Sequence, residues 1–200
     1  MFIQVMEGRV ANPEGLQAQL ATWMSDLQPG AEGWLGATAG VAADGTFVAV
    51  TRFESQEAAK ANSDRPEQGQ WWERTAAMFD GDVAFTDCPE VDTFGAGGSD
   101  DAGFVQIMIG RGDRAAVKPV AQELDAVLNR MRPDGIGGTA AWPGDGTFIQ
   151  TVYFTSEDEA RANESASPSS DQDRADAERL MSLMQVERYI DLPNPMFYSG

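Results

Sequence analysis

The chain contains two copies of one sequence pattern, and this duplication constrains its architecture more than any other feature. Residues 2–9, FIQVMEGR, return as residues 104–111, FVQIMIGR. Residues 53–62, FESQEAAKAN, return as residues 154–163, FTSEDEARAN. Because the order and spacing of these segments hold within a few residues, the pattern predicts one unit of about ninety-five residues that has been duplicated and fused.

The two copies predict two domains within the 200 residues. We assign the first copy to residues 1–94 and the second to residues 104–200. Between them, residues 95–103 have the sequence GAGGSDDAG, which is typical of a flexible linker.

Each copy predicts the same order of secondary structure. A strand at residues 2–9 is followed by an amphipathic helix capped by Asn12 and by a hairpin around Asp44 and Gly45. Ser55 then caps a short helix that a proline interrupts, Pro66 in one copy and Pro168 in the other; a further helix and a last strand follow. This β-α-β-β-α-β order predicts an α+β fold made of two ferredoxin-like units.

The strands are apolar on both faces. In the third strand, for example, Phe47 and Phe53 lie on one face while Val48 and Val50 lie on the other. A sheet with two apolar faces must be covered on both. We therefore expect two four-stranded sheets packed face to face, with helices outside, as an α/β barrel within one chain.

Composition excludes several classes of function. The net charge of −18 argues against nucleic-acid binding. No apolar run is long enough to predict a membrane span, and we expect no membrane partner. The single cysteine, Cys88, excludes an intrachain disulfide, and the start of the chain lacks a signal-peptide pattern. A cytoplasmic protein is expected, and the arginine-rich basic composition suggests a bacterial source with GC-rich DNA.

The absence of histidine narrows the chemistry further. Without histidine, a Zn or Fe site built on that residue is excluded, and so are Ser-His and Cys-His nucleophile systems. No glycine-rich phosphate loop joins a predicted strand to a helix. We therefore expect no metal and no cofactor.

The element order and the two segments at residues 53–62 and 154–163 resemble the dimeric α/β-barrel superfamily, in particular its antibiotic-biosynthesis-monooxygenase-like group. Similar proteins usually pair two separate units, so the fused copies here imply a pseudo-dimer within one chain, with any further oligomer left open. The resemblance implies several activities: cofactor-free oxidation of polyphenolic polyketides, haem degradation, chlorite dismutation or simple ligand binding. Haem-using relatives employ a histidine ligand, which this chain lacks.

Two pairs of residues are shared by both copies. Gln4 and Gln106 interrupt an apolar strand face, and a structural hydrogen bond is their simplest interpretation. Asn62 and Asn163 lie where a helix approaches a proline, and a helix-ending amide is the simplest role there. The resemblance implies that an Asn, a Trp and an Arg surround the substrate, which makes Asn62 a candidate catalytic residue.

Other residues occur in the first copy only. Trp34, Trp71 and Trp72 have no aromatic counterpart in the second copy, and Arg52 is replaced by Tyr153. Tryptophan and arginine around a cavity suit a flat aromatic ligand through stacking and cation–π contact. In the alternative interpretation, the tryptophans belong to the core or the surface, and Arg52 pairs with an acid such as Glu54.

These observations place a candidate site in the first copy. Its predicted ligand-binding residues are Trp34, Trp71, Trp72, Gln4 and Met6, with Arg52 and Asn62 stabilising a phenolate that reacts with dioxygen. A carboxylate or tyrosine would have to act as the base, and Glu73 and Tyr153 are candidates. A non-catalytic protein that binds a small aromatic molecule and a structural module without a ligand remain alternatives.

Overall fold

The computed structural model describes residues 1–165 and 170–199, which form two compact units. Unit 1 contains residues 1–89 together with the last residues from Met196 onward, and unit 2 contains residues 90–195. The sequence copies are stretches of similar sequence, whereas the units are stretches that pack together. Their boundaries differ because the strand that ends each copy hydrogen-bonds into the sheet made from the other copy.

The elements follow the predicted order in both copies. They are β1 (Phe2–Val10), α1 (Pro13–Thr22), β2 (Trp34–Val41), β3 (Thr46–Phe53), α2 (Gln56–Ser63), α3 (Pro66–Ala76), β4 (Phe79–Cys88), β5 (Glu90–Gly95), β6 (Phe104–Gly112), α4 (Arg114–Glu123), α5 (Asp125–Met131), β7 (Gly135–Trp142), β8 (Thr147–Phe154), α6 (Glu157–Glu164), α7 (Asp171–Met181), β9 (Met184–Leu192) and β10 (Met196–Ser199). This is a mixed α+β fold of two fused ferredoxin-like units, as the sequence predicts.

Each sheet has five strands rather than the four that we expected. The order is β10-β2-β3-β1-β4 in unit 1 and β5-β7-β8-β6-β9 in unit 2, and every pairing is antiparallel. The additional strands, β5 and β10, follow Pro89 and Pro195. They cover β7 and β2, whose backbone groups would otherwise form an open sheet edge. The predicted linker therefore begins where β5 ends.

Local sequence signals account for the element boundaries. The Asn12 side chain accepts a hydrogen bond from the Gly15 amide at 2.9 Å, and Ser55 Oγ accepts one from the Ala58 amide at 3.2 Å. At the hairpin turn between β2 and β3, Gly45 has a φ of 87°, which favours glycine. Pro66 is the first residue of α3, where its missing N–H costs nothing. Pro168 lies outside the described residues.

The two long predicted helices are each divided. After α1, residues 23–27 form a π-helical turn and residues 28–30 a 3-10 turn. In the second copy, the corresponding predicted amphipathic helix divides at Leu124 into α4 and α5. The π-helical turn matters for the site because it carries Trp23 and Met24.

Candidate functional site

A cavity of about 370 Å³ lies within unit 1. Strands β1, β2 and β3 form its floor, the helical segments cover it, and β4 and β10 each add one aromatic residue. The lining consists of Gln4, Met6, Leu20, Trp23, Met24, Trp34, Ala37, Ala39, Ala49, Thr51, Phe53, Asn62, Ser63, Gln68, Gly69, Trp71, Trp72, Phe85 and Tyr198. Its volume lies in the range of roughly 300–1,000 Å³ that is usual for small-molecule pockets.

The cavity is aromatic and uncharged. Seven of its lining side chains are aromatic, and none of the lining residues is Asp, Glu, Lys or Arg. The rings touch one another: Trp23 and Trp34 have centroids 5.0 Å apart, and Trp72 meets Phe85 edge-on at 5.0 Å. In a chain of net charge −18, such a lining favours neutral, flat molecules over ions.

Hydrogen bonds hold two of the indole rings in place. Trp23 Nε1 donates to Gln68 Oε1 at 2.7 Å, which joins the π-helical turn to α3. Trp71 Nε1 donates to the Gln19 carbonyl at 2.8 Å, which joins α3 to α1. Because these donors are satisfied within the protein, Trp23 and Trp71 offer the cavity aromatic surface.

The indole nitrogen of Trp34 has no such partner in the part of the chain that the structure describes. Trp34 is only 6% exposed, and its Nε1 has no acceptor among residues 1–165 and 170–199. A buried donor without a partner costs roughly 1–3 kcal/mol, so such groups are rare and call for an explanation. The nitrogen itself is shielded from solvent, so Trp34 offers the cavity the surface of its ring.

Asn62 and Gln4 are oriented by fixed partners. Asn62 is buried, and its Oδ1 accepts a 3.0 Å hydrogen bond from Arg65 Nη1. Gln4 Nε2 donates to Asp87 Oδ1 at 2.8 Å. These bonds leave the NH₂ group of Asn62 and the carbonyl oxygen of Gln4 as the ends that can serve a ligand.

Tyr198 was absent from the predicted site. It reaches the cavity on β10, where it pairs with Ala37 of β2, and its hydroxyl donates to Met196 Sδ at 3.6 Å. Burial raises the pKa of Tyr198, so the phenol keeps its proton at neutral pH. One signal could have revealed it: residues 191–199, DLPNPMFYS, resemble residues 87–95, DCPEVDTFG, in following an Asp-X-Pro step with a β-rich segment.

The structure brings most of the predicted site residues together. Gln4, Met6, Trp34, Asn62, Trp71 and Trp72 all line the cavity. Arg52 does not, because its neighbours Thr51 and Phe53 line the cavity and alternate side chains of a strand point to opposite faces. On that other face, Arg52 Nη1 donates to Thr38 Oγ1 at 3.0 Å. The candidate bases also lie elsewhere: Glu73 is not a lining residue, and Tyr153 is buried in unit 2.

Three solved structures match the whole chain. A proposed monooxygenase from Fusobacterium nucleatum matches with a TM-score of 0.71 and 10% identity, covering 100% of this chain and 94% of its own. A second, from Lactobacillus acidophilus, matches with a TM-score of 0.68 and 11% identity over 98% and 92%. An anthrone oxidase-like protein matches with a TM-score of 0.65 and 12% identity over 99% and 90%.

At such low identities, these matches establish the fold. They confirm the predicted fold: the whole chain shares the fold of two proteins described as monooxygenases and of one described as anthrone oxidase-like. No protein-family model and no curated protein sequence matches the chain. Over the described ranges, none of the helices has the length and apolar character needed to cross a membrane.

Proposed function

We propose that unit 1 binds a small, flat, uncharged aromatic molecule and oxidises it with dioxygen without a cofactor. The observation that carries this proposal is the uncharged cavity of about 370 Å³ with its seven aromatic lining side chains. Aromatic rings offer a planar ligand stacking and edge contacts, and an uncharged wall does not compensate for the desolvation of an ion.

The polar groups of the cavity suit an oxygen atom that becomes negative. Tyr198 Oη is a donor, and Asn62 contributes an NH₂ group. Donors aimed at a developing oxyanion stabilise it most in a site from which water is excluded. A phenolate or enolate formed from the ligand is electron-rich enough to react with dioxygen.

The reaction balances without a cofactor. In an anthrone, the CH₂ carbon loses two hydrogens and gains one oxygen atom from O₂, while the other oxygen atom leaves as water. The proton that starts the reaction has no ionised acceptor among the lining residues, since Tyr198 stays protonated. We therefore expect the rate to follow the acidity of the substrate, with water taking the proton.

That same lack of an ionised base favours a second function, in which unit 1 binds the aromatic molecule without turning it over. Ligand binding and oxygen consumption separate the two. Binding of 1-naphthol is followed by intrinsic fluorescence, because four tryptophans line the cavity. Oxidation of anthrone is followed with an oxygen electrode against its spontaneous rate. Binding with oxygen consumption supports the oxygenase; binding alone supports the second function.

The second copy suggests substitutions that should block the cavity of unit 1. Lys60 and Ser63 of unit 1 correspond to Arg161 and Glu164 of unit 2, which bond to each other there. The double variant Lys60→Arg, Ser63→Glu should fill the cavity with that ion pair and lower the affinity for 1-naphthol at least tenfold. Lys60→Arg alone keeps the charge and should bind normally. Equal binding by both variants, or no binding by the wild-type protein, would contradict the proposal.

A further inference from the structure

Tyr198 occupies a defined position at the edge of unit 1. It lies on β10, opposite Ala37 of β2, and both residues line the cavity. Its ring also packs against the apolar cluster that contains Trp34 and Phe53. The ring therefore forms a wall of the cavity close to the unpartnered indole of Trp34.

The hydroxyl group of Tyr198 is not needed to build this edge. In unit 2, the equivalent strand β5 places Phe94 opposite Gly138, in the same register relative to Phe154 as Tyr198 has relative to Phe53. Phenylalanine thus serves as the edge residue in one copy of the fold. The hydroxyl is an addition found only in the unit that holds the aromatic cavity described above.

The hydroxyl is also poorly satisfied. Its partner, Met196 Sδ, lies 3.6 Å away, and a thioether sulfur is a weak acceptor. Burial favours the neutral phenol, so the group remains a donor at neutral pH. An oxygen acceptor brought by a ligand would make a stronger hydrogen bond than the sulfur does.

We infer that Tyr198 is the recognition residue that selects, among flat aromatic molecules, those that carry a carbonyl or phenolic oxygen. This inference rests on the proposed function, because it assumes that an aromatic ligand enters the cavity. What it adds is the residue that discriminates: the Tyr198 hydroxyl would favour aromatic ketones, phenols and quinols over aromatic hydrocarbons of the same shape.

The test uses two probes of similar shape, 1-naphthol and 1-methylnaphthalene, and the variant Tyr198→Phe, which removes only the hydroxyl oxygen. Dissociation constants are measured by equilibrium dialysis at pH 7. We expect Tyr198→Phe to reduce the preference for 1-naphthol over 1-methylnaphthalene by about five- to tenfold relative to wild type, the usual worth of one net hydrogen bond. The difference in hydrophobicity between the probes contributes equally to the ratios of the variant and of wild type, so it cancels when these two ratios are compared.

Tyr189→Phe is the matched control, since Tyr189 is 55% exposed on β9 of unit 2. It should leave the preference unchanged. If Tyr198→Phe weakens both probes equally or leaves the ratio at its wild-type value, the hydroxyl does not recognise the ligand and the inference is wrong, while the proposed binding function survives. If wild type binds neither probe, the proposed function itself fails, and the inference fails with it.

Discussion

At equivalent positions of α2 and α6, unit 1 carries Lys60 and Ser63, whereas unit 2 carries Arg161 and Glu164. Lys60 pairs with exposed Asp64 on the surface, and Ser63 lines the cavity. Arg161 instead bonds to Glu164 at 3.2 Å and to Asp191, and its guanidinium lies 5.0 Å from the centroid of the Phe104 ring. Gln106, the counterpart of Gln4, donates to both Asp191 and Glu164.

The edge strands β10 and β5 show the same contrast between the two units. Met196 of β10 joins an apolar cluster in unit 1. Its counterpart in β5 is Asp92, which bonds to Arg114 at 2.7 Å, to Lys118 at 2.8 Å and to Trp142 Nε1 at 3.2 Å. The indole nitrogen of Trp142 thus has an acceptor within unit 2, whereas Trp34 Nε1, at a different position of unit 1, has none among the described residues.

This difference shows that the same arrangement of strands and helices can carry two kinds of side-chain interior, one charged and one aromatic. Partly buried charges must find partners, so the side chains of unit 2 close on one another. Aromatic rings carry few polar atoms and can border a space that holds no protein atoms. Substituting a few residues therefore decides between an uncharged aromatic lining and a network of ion pairs, while the ladder of strands stays the same.

The largest effect on stability should come from core positions at which both units carry the same residue. Phe47 and Phe148 are equivalent and fully buried. Phe47→Ala and Phe148→Ala should each cost about 3–5 kcal/mol of unfolding free energy, because both remove a buried ring and leave a cavity. Urea unfolding combined with hydrogen exchange of each unit measures this. A loss in one unit more than twice that in the other would show that the two cores are not alike.

The ion network should make the next-largest difference. Arg161→Ala should destabilise unit 2 by about 1–2 kcal/mol, a figure reduced for the solvent that reaches its 39% exposed side chain. Lys60→Ala at the equivalent position should cost less than about 0.5 kcal/mol, because its ion pair is on the surface. Equal losses in urea unfolding would contradict the contrast between the two interiors.

Acid should weaken unit 2 through Asp92. Burial alone would raise the pKa of Asp92, but hydrogen bonds from Arg114 and Lys118 outweigh it and lower the pKa below the ordinary 3.8. The folded state thus favours the charged form, so this stabilisation is present above about pH 5 and is lost as pH falls through 3.8 toward the folded pKa. Asp92→Asn should flatten this part of the stability curve by roughly 1 kcal/mol.

The counterpart Met196 does not titrate and provides the control. Met196→Leu should leave the acid branch of the unfolding curve unchanged. If Asp92→Asn does not alter the acid branch, other carboxylates govern the loss of stability at low pH.

The smallest effect concerns α3. Gly69 lies in the helix interior, and a methyl group added there would meet no atom within 4 Å. The equivalent position of α7, counted from the helix ends, is Arg174. Gly69→Ala should stabilise unit 1 by about 0.5–1 kcal/mol through lower backbone entropy of the unfolded chain, as measured by thermal unfolding. A destabilised variant would mean that this glycine serves the cavity mouth and not the helix.

Part of the cavity lining could be anticipated by comparing the copies. Trp34, Trp71 and Trp72 stood out because the second copy lacks aromatic residues at those positions, and all three line the cavity. Arg52 stood out by the same logic but lies on the other face of β3. Since both faces of that strand are apolar, the sequence carries no signal for which face borders the cavity.

Tyr198 illustrates a different difficulty. It belongs to the last residues of the second copy, but β10 pairs with β2 of the first. Strand pairing across such a sequence separation depends on which sheet edge is open, and local patterns carry no information about that. The same reason explains why five-stranded sheets were found where four strands were expected.

The sequence by itself determined the duplication, the order of strands and helices, their caps and hairpin turns, and the inequality of the two copies. Those properties depend on residues close to one another in the chain or on direct comparison of the repeats. Only the tertiary structure decided that β5 and β10 exchange sheets, that Arg161 closes on Asp191, and that Trp34 and Tyr198 meet one cavity. These outcomes depend on which distant groups pack together, because burial, and not local pattern, sets the cost of an unpartnered charge or donor.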